Sequence, residues 1–192
     1  MRKPLALTIV IVLGLAGAAA GYSIMLTSQP SDHANAAATT AVPVWTEAKW
    51  PFPIDQWGTG RAFNCKPADC GTGVMIYLRA KAGFCNCTTG VADDEELDRV
   101  GDIDLVGSQS SALGPGRPIT VHWMKGRSRS YAVDGRVPSA KSALSIAFNE
   151  RCDAIVATAV VEGDRASAQE PAVLEFLNGD LVRHWAELTL GL

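Results

Sequence analysis

Cysteines are the residues of this 192-residue chain best able to do chemistry, and most of the five are close together, as Cys65-x4-Cys70-x14-Cys85-Asn86-Cys87, with Cys152 well downstream. Thiols at this density have three chemistries open to them: disulfide formation, ligation of a soft metal, and thiol–disulfide exchange. Cys85 and Cys87 leave the same face if the segment is extended. Cys65 and Cys70 flank a turn made by Pro67, Asp69 and Gly71. A hairpin-like path through 65–87 would bring the two pairs together as two disulfides, each worth about 2–4 kcal/mol. The spacing leaves the connectivity open. Cys152 then reads as a free thiol, unless it pairs within the cluster and releases another member.

The alternative use of Cys65, Cys70, Cys85 and Cys87 is a copper or zinc site, since soft thiolates select soft ions. The spacings depart from the paired x2 pattern of a zinc ribbon. No Cys-x-x-Cys opens a helix, the usual way to activate a redox thiol. His33, His122 and His184 show no triad-like or metal-like spacing with one another. Phosphate-loop, dinucleotide, serine-elbow and zincin motifs are absent from the sequence. Asp93 to Glu96 lacks the alternating ligands of a calcium loop and reads better as the acidic start of a helix. Trp45, Trp50 and Trp57, with Phe52 among them, form an aromatic arm. It either closes the core or docks a partner. Arg117, Lys125, Arg127 and Arg129 read as a solvated basic face, or as a contact for an acidic partner or anionic lipid.

Compartment decides among the cysteine chemistries. Arg2 and Lys3 precede a run that is uncharged from Leu5 to Thr27. At about 1.5 Å per residue, that run is long enough for the ~30 Å bilayer core. The basic residues at the extreme terminus favour a cytoplasmic N-terminus, with the rest of the chain across the membrane. Small-x-small sites at Ala18–Ala20 and Ala34–Ala36 leave signal cleavage as the alternative. The expected organisation is a signal-anchor or transmembrane segment over 1–28, a flexible Ala/Ser/Thr/Pro linker over 29–44, and one domain over 45–192. With 17 basic and 20 acidic residues and a net charge of −3, the chain lacks the basic excess of a dedicated nucleic-acid binder.

Elements follow from periodicity. Val74, Ile76 and Leu78 alternate as a strand. Asp93 to Val100 reads as a short helix, Asp102 to Val106 as a strand, and Ser108 to Gly116 as a loop. Pro118 to Val133 reads as a hairpin turning at Lys125-Gly126. Ser142 to Phe148 fits strand or helix, with strand preferred, and Asp153 to Val161 is a strand. Glu170 to Leu177 is helical. Asp180 caps a second helix with Leu181, Trp185 and Leu188 on its core face. The body is expected to begin near Gly58. The fold class is α+β, mainly antiparallel, with a short helix after the cysteines, C-terminal helices packed on the sheet and an N-terminal transmembrane helix.

Three stretches, Trp50 to Trp57, Gly83-Phe-Cys-Asn-Cys-Thr-Thr-Gly90, and the ending from Phe176-Leu177 to Gly191-Leu192, carry a resemblance to uncharacterised membrane-anchored or periplasmic proteins of alphaproteobacteria. That resemblance implies an envelope location rather than a reaction. The expected function is a non-enzymatic, membrane-tethered accessory or binding protein. Its partners would be the cytoplasmic membrane and an envelope protein. The rival is a periplasmic copper chaperone or thiol-redox protein using Cys85 and Cys87, whose Cys-x-Cys pair is similar to that of membrane-anchored copper chaperones.

Overall fold

A computed structural model describes residues 42–135 and 140–192. The expected anchor, and the expected linker up to residue 41, lie outside the described residues. Among the described residues no helix is long and apolar enough to cross a membrane. The strands are β1 (Trp45–Ala48), β2 (Arg61–Cys65), β3 (Val74–Lys81), β4 (Gly107–Ala112), β5 (Arg117–Val121), β6 (Met124–Gly135), β7 (Ala140–Glu150) and β8 (Asp153–Glu162). The helices are α1 (Pro67–Cys70), α2 (Asp94–Val100), α3 (Ile103–Val106), α4 (Ala166–Leu177) and α5 (Asp180–Leu190). Among the described residues the strands form one eight-stranded sheet, in the order β1-β2-β3-β8-β7-β6-β4, with β5 also on β6. The named strand pairs are antiparallel. The chain is thus α+β and mainly antiparallel.

Helices cover both faces, so the central strands are apolar on both sides rather than alternating. Ile155, Ala157 and Ala159 of β8 and Leu144, Ile146 and Phe148 of β7 face α4 and α5, meeting Val173, Leu177, Val182 and Ala186. On the opposite face Ala147, Ala154 and Val156 meet Leu97 and Val100 of α2. Farther along that face, Tyr77, Tyr131 and Val160 pack with Val106 of α3 and with Trp50 and Phe52 of the arm. Two-sided burial is why Ser142 to Phe148 fitted both periodicities; it is a strand.

Several expectations hold in the structure: β3, β7, β8 and α2. Asp93 stands just outside α2 and caps it, its Oδ1 accepting the Glu96 N–H at 2.8 Å. Others need correction. The sheet begins before Gly58, because Trp45–Ala48 pairs with β2 ahead of the prolines. Asp102 to Val106 is not a strand but the start and body of α3. The Ser/Gln-rich segment 107–112 is an exposed edge strand, its polar composition reflecting one neighbour and solvent. The hairpin turns at His122-Trp123 rather than Lys125-Gly126. Gly126 lies inside β6 opposite Phe148, where a Cβ would meet the Ala147 carbonyl and sit 2.6 Å from Phe148 Cα. Close backbone approach, not a turn, demands that glycine. α4 starts at Ala166, a turn earlier than expected. The core face of α5 carries Val182 and Ala186, while Leu181 and Leu188 are 48% and 71% exposed.

Candidate functional site

The cysteines pair differently from the sequence expectation. Cys65, ending β2, is bonded to Cys70, ending α1, with Cα atoms 6.0 Å apart. Pro67 opens α1 and Gly71 closes it at φ 73°, so a single turn brings the two together. Cys87 is bonded to Cys152 across a Cα–Cα distance of 4.2 Å. Cys152 is therefore not the free thiol; Cys85 is, and it is buried. The reason is tertiary. β3 and β8 are in register through Lys81↔Ala154, so the loop leaving β3 lands on the β7–β8 turn that carries Cys152.

Cys85 and Cys87 do not share a face, because the segment is turned rather than extended. The Asn86 carboxamide oxygen accepts the N–H groups of Thr88 at 2.9 Å and Thr89 at 3.1 Å. The Asn86 carbonyl accepts the Gly90 N–H at 2.7 Å. Cys87 points outward to its disulfide, and Cys85 points inward beside Leu97 and Val100. The Cys85 thiol donates to the Arg151 carbonyl at 3.3 Å. Burial pushes this thiol up from its ordinary pKa, and the Glu96 carboxylate adds to the shift. It is a neutral, space-filling group at neutral pH. Cys85 and Cys87 thus offer no free dithiol to a metal or a redox partner. Among the described residues no group of three His, Cys, Asp or Glu is placed to hold a metal ion. His122 stands at the β5–β6 turn, its backbone N–H donating to Asn178 Oδ1 at 2.7 Å.

The charged centre of the domain escaped the sequence reading. Arg79 and Lys81 project from β3 onto one face, two residues apart, and are only 3% and 4% exposed. Asp102, opening α3, answers both: Arg79 Nε and Nη2 donate to its two oxygens at 2.9 and 2.6 Å, and Lys81 Nζ lies 2.7 Å from Oδ1. Arg79 Nη1 donates to Asp55 of the arm at 2.6 Å. Burial by itself would lower the Arg79 pKa, but the hydrogen bonds to Asp102 and Asp55 outweigh it and hold it above its ordinary value. Lys81 also donates to the Val100 carbonyl at 2.7 Å, satisfying the end of α2. Two cations and two carboxylates make the cluster neutral. The one trace of it in the sequence is a pair of charges, i and i+2, at the end of an apolar strand.

That cluster fixes the aromatic arm. Asp55 Oδ1 accepts the Trp57 N–H at 2.8 Å, the Asp55 carbonyl accepts the Gly58 N–H at 2.9 Å, and Gly58 closes the turn at φ 72°. The Trp57 ring packs on Phe84 with centroids 4.6 Å apart. The other two candidates turn toward the domain: Trp45 packs on Phe176 at 4.8 Å, and Trp50 packs edge-on to Tyr77 at 6.0 Å. The three arginines of the basic stretch are paired internally, while Lys125 is exposed. Arg127 binds Asp94, Arg129 lies 3.0 Å from Asp98, and Arg117 lies 2.7 Å from Glu170.

Together these features define a class, an α+β domain stapled by two disulfides, which are bonds of an oxidising, extracytoplasmic space. No family model and no curated protein matches the chain. Among solved structures, the solution structure of cyanobacterial PsbP (CyanoP) from Synechocystis sp. PCC 6803 is similar over 71% of this chain and 78% of its own, with 10% identity and a TM-score of 0.42.

Proposed function

We propose that this chain is a membrane-tethered accessory or binding protein of the cell envelope. Its domain stands on the periplasmic side of the cytoplasmic membrane, and the uncharged Leu5–Thr27 run is its anchor. The observation that carries this reading is the pair of disulfides, Cys65–Cys70 and Cys87–Cys152, in a chain that opens on such a run. Thiols held this way persist outside the reducing cytosol. A binding role fits a neutral, internally paired charge cluster whose visible effect is to position a tryptophan.

Fractionation of cells producing the full chain tests the proposal. The chain is expected to stay with the membrane through an alkaline carbonate wash, to be digested by protease added to spheroplasts, and to keep its N-terminal residues by intact mass. Denatured without reductant, it should react with one equivalent of thiol reagent. A cytosolic chain with all five cysteines reactive would overturn the reading. A soluble periplasmic chain that has lost its first residues would overturn the tether.

A further inference from the structure

We propose that the cleft between the Asp55–Gly58 turn, the end of β3 and α5 binds an uncharged saccharide, laid against Trp57 and Trp185. This inference rests on the reading of the chain as a binding protein and gives that protein its ligand class.

The cleft has a volume of about 440 Å³, within the range of small-molecule sites of roughly 300–1,000 Å³. Trp57 from the turn and Trp185 from α5 supply its aromatic surface. Ala80 and Ala82, at and just beyond the end of β3, line it with small side chains that leave room for a ring. Its polar groups are those of Gln56, Thr59 and Thr189, none with formal charge. The Gln56 carboxamide and the Thr59 hydroxyl can donate and accept, while the Thr189 hydroxyl already donates to the Trp185 carbonyl at 2.7 Å and is left to accept. A charged ligand would find no counter-charge in this lining. A wholly apolar ligand would strip water from the amide and hydroxyls without replacing its hydrogen bonds. A sugar ring answers both conditions, with C–H faces for the indoles and a rim of hydroxyls for the polar side chains. Among the described residues the indole N–H groups of Trp57 and Trp185 donate to no protein acceptor, which leaves both for a ligand.

The cleft is also built before any ligand arrives. Asp55 holds the Trp57 backbone at 2.8 Å, and buried Arg79 holds Asp55 at 2.6 Å. Phe84 packs against the Trp57 ring, with centroids 4.6 Å apart. Trp185 is half-buried on α5 and packs against the main core cluster. Rings fixed in advance lose little freedom on binding, which favours affinity for a small polar ligand. Arg79 acts here through Asp55 and is a positioning residue, not a contact.

The test is a titration of the full chain, in a detergent without a sugar headgroup, with cellotriose, maltotriose and chitotriose, read by tryptophan fluorescence and calorimetry. At least one of these is expected to bind saturably. Trp57→Ala and Trp185→Ala should each weaken that binding about tenfold or more, and Trp57→Phe should recover much of it. Ala82→Phe, a substitution at an exposed position, should block the cleft without unfolding the domain. No saturable response to any of the three sugars would overturn the proposal. So would binding that survives both tryptophan substitutions, or a cleft that takes an apolar dye but no sugar. Failure here leaves the fractionation result standing, so the two readings fail separately.

Discussion

Asp102 is the carboxylate on which the interior depends. It meets Arg79 and Lys81, both buried, while Asp55 on the arm reaches only Arg79. Replacing Asp102 with Asn keeps the shape and leaves two buried cations facing one half-exposed carboxylate. Removing one partner of a buried ionic group costs about 3–5 kcal/mol, because the remaining charge is uncompensated. Denaturant unfolding of Asp102→Asn should show a loss of that order; a loss within the range of an ordinary surface substitution would contradict this account. The sequence showed Arg79 and Lys81 as charges on a strand but not their partner, since Asp102 reaches them only through the fold. Cys85 teaches the same lesson. Its neighbour in sequence, Cys87, suggested a pair, yet one thiol turns inward and the other is bonded to Cys152.

Helix α2 is legible from its own residues: an aspartate cap, three acids in the first turn and a basic residue in the last. What the helix is fastened to is not legible. Asp94 accepts the Gly116 N–H at 3.0 Å and binds Arg127, and these partners, in that order, hold its pKa below the usual carboxylate value of 3.8. Glu96 is likewise held below 4.5, by Arg99 first, with the Asn86 N–H helping against desolvation. Carboxylates with depressed folded-state pKa values add stability above their unfolded pKa and lose it as pH falls through the folded one. Thermal melts should therefore be nearly level from neutrality down to about pH 5 and should fall off below about pH 4. Asp94→Asn should lower the melting temperature at neutral pH and make the acid decline shallower; an unchanged acid limb would argue against this anchorage. For α5 the expected face holds only at Trp185, which packs against the core, while Leu181 and Leu188 are exposed. Leu181, Trp185 and Leu188 repeat at helical spacing, but the helix rests on its small residues, Val182 and Ala186, because it packs closely against the sheet.

At the scale of the whole molecule the two disulfides differ in what they constrain. Cys65–Cys70 spans 5 positions of sequence and Cys87–Cys152 spans 65. By the loop-entropy account the longer closure stabilises by about 4 kcal/mol and the shorter by about 2. The Cys87→Ser/Cys152→Ser double variant should thus lose more stability in denaturant unfolding than Cys65→Ser/Cys70→Ser. Equal losses would show that local strain or residual structure, not loop closure, sets the contribution.

The sequence by itself determined what depends on neighbours along the chain: the strand alternation of Val74, Ile76 and Leu78, the acidic start of α2, the apolar run of β8, and an antiparallel α+β composition. These rest on periods of two and 3.6 residues and on a helix dipole that needs no distant partner. Only the tertiary structure decided the rest. Register between β3 and β8 carried Cys87 to Cys152, and the meeting of β3, α3 and the arm made one neutral cluster of Arg79, Lys81, Asp102 and Asp55. The same meeting fixed Trp57 beside α5. Each of these joins residues far apart in sequence, and the reason is the same in every case: burial and charge balance are satisfied by whatever the fold places alongside, not by what the chain places next.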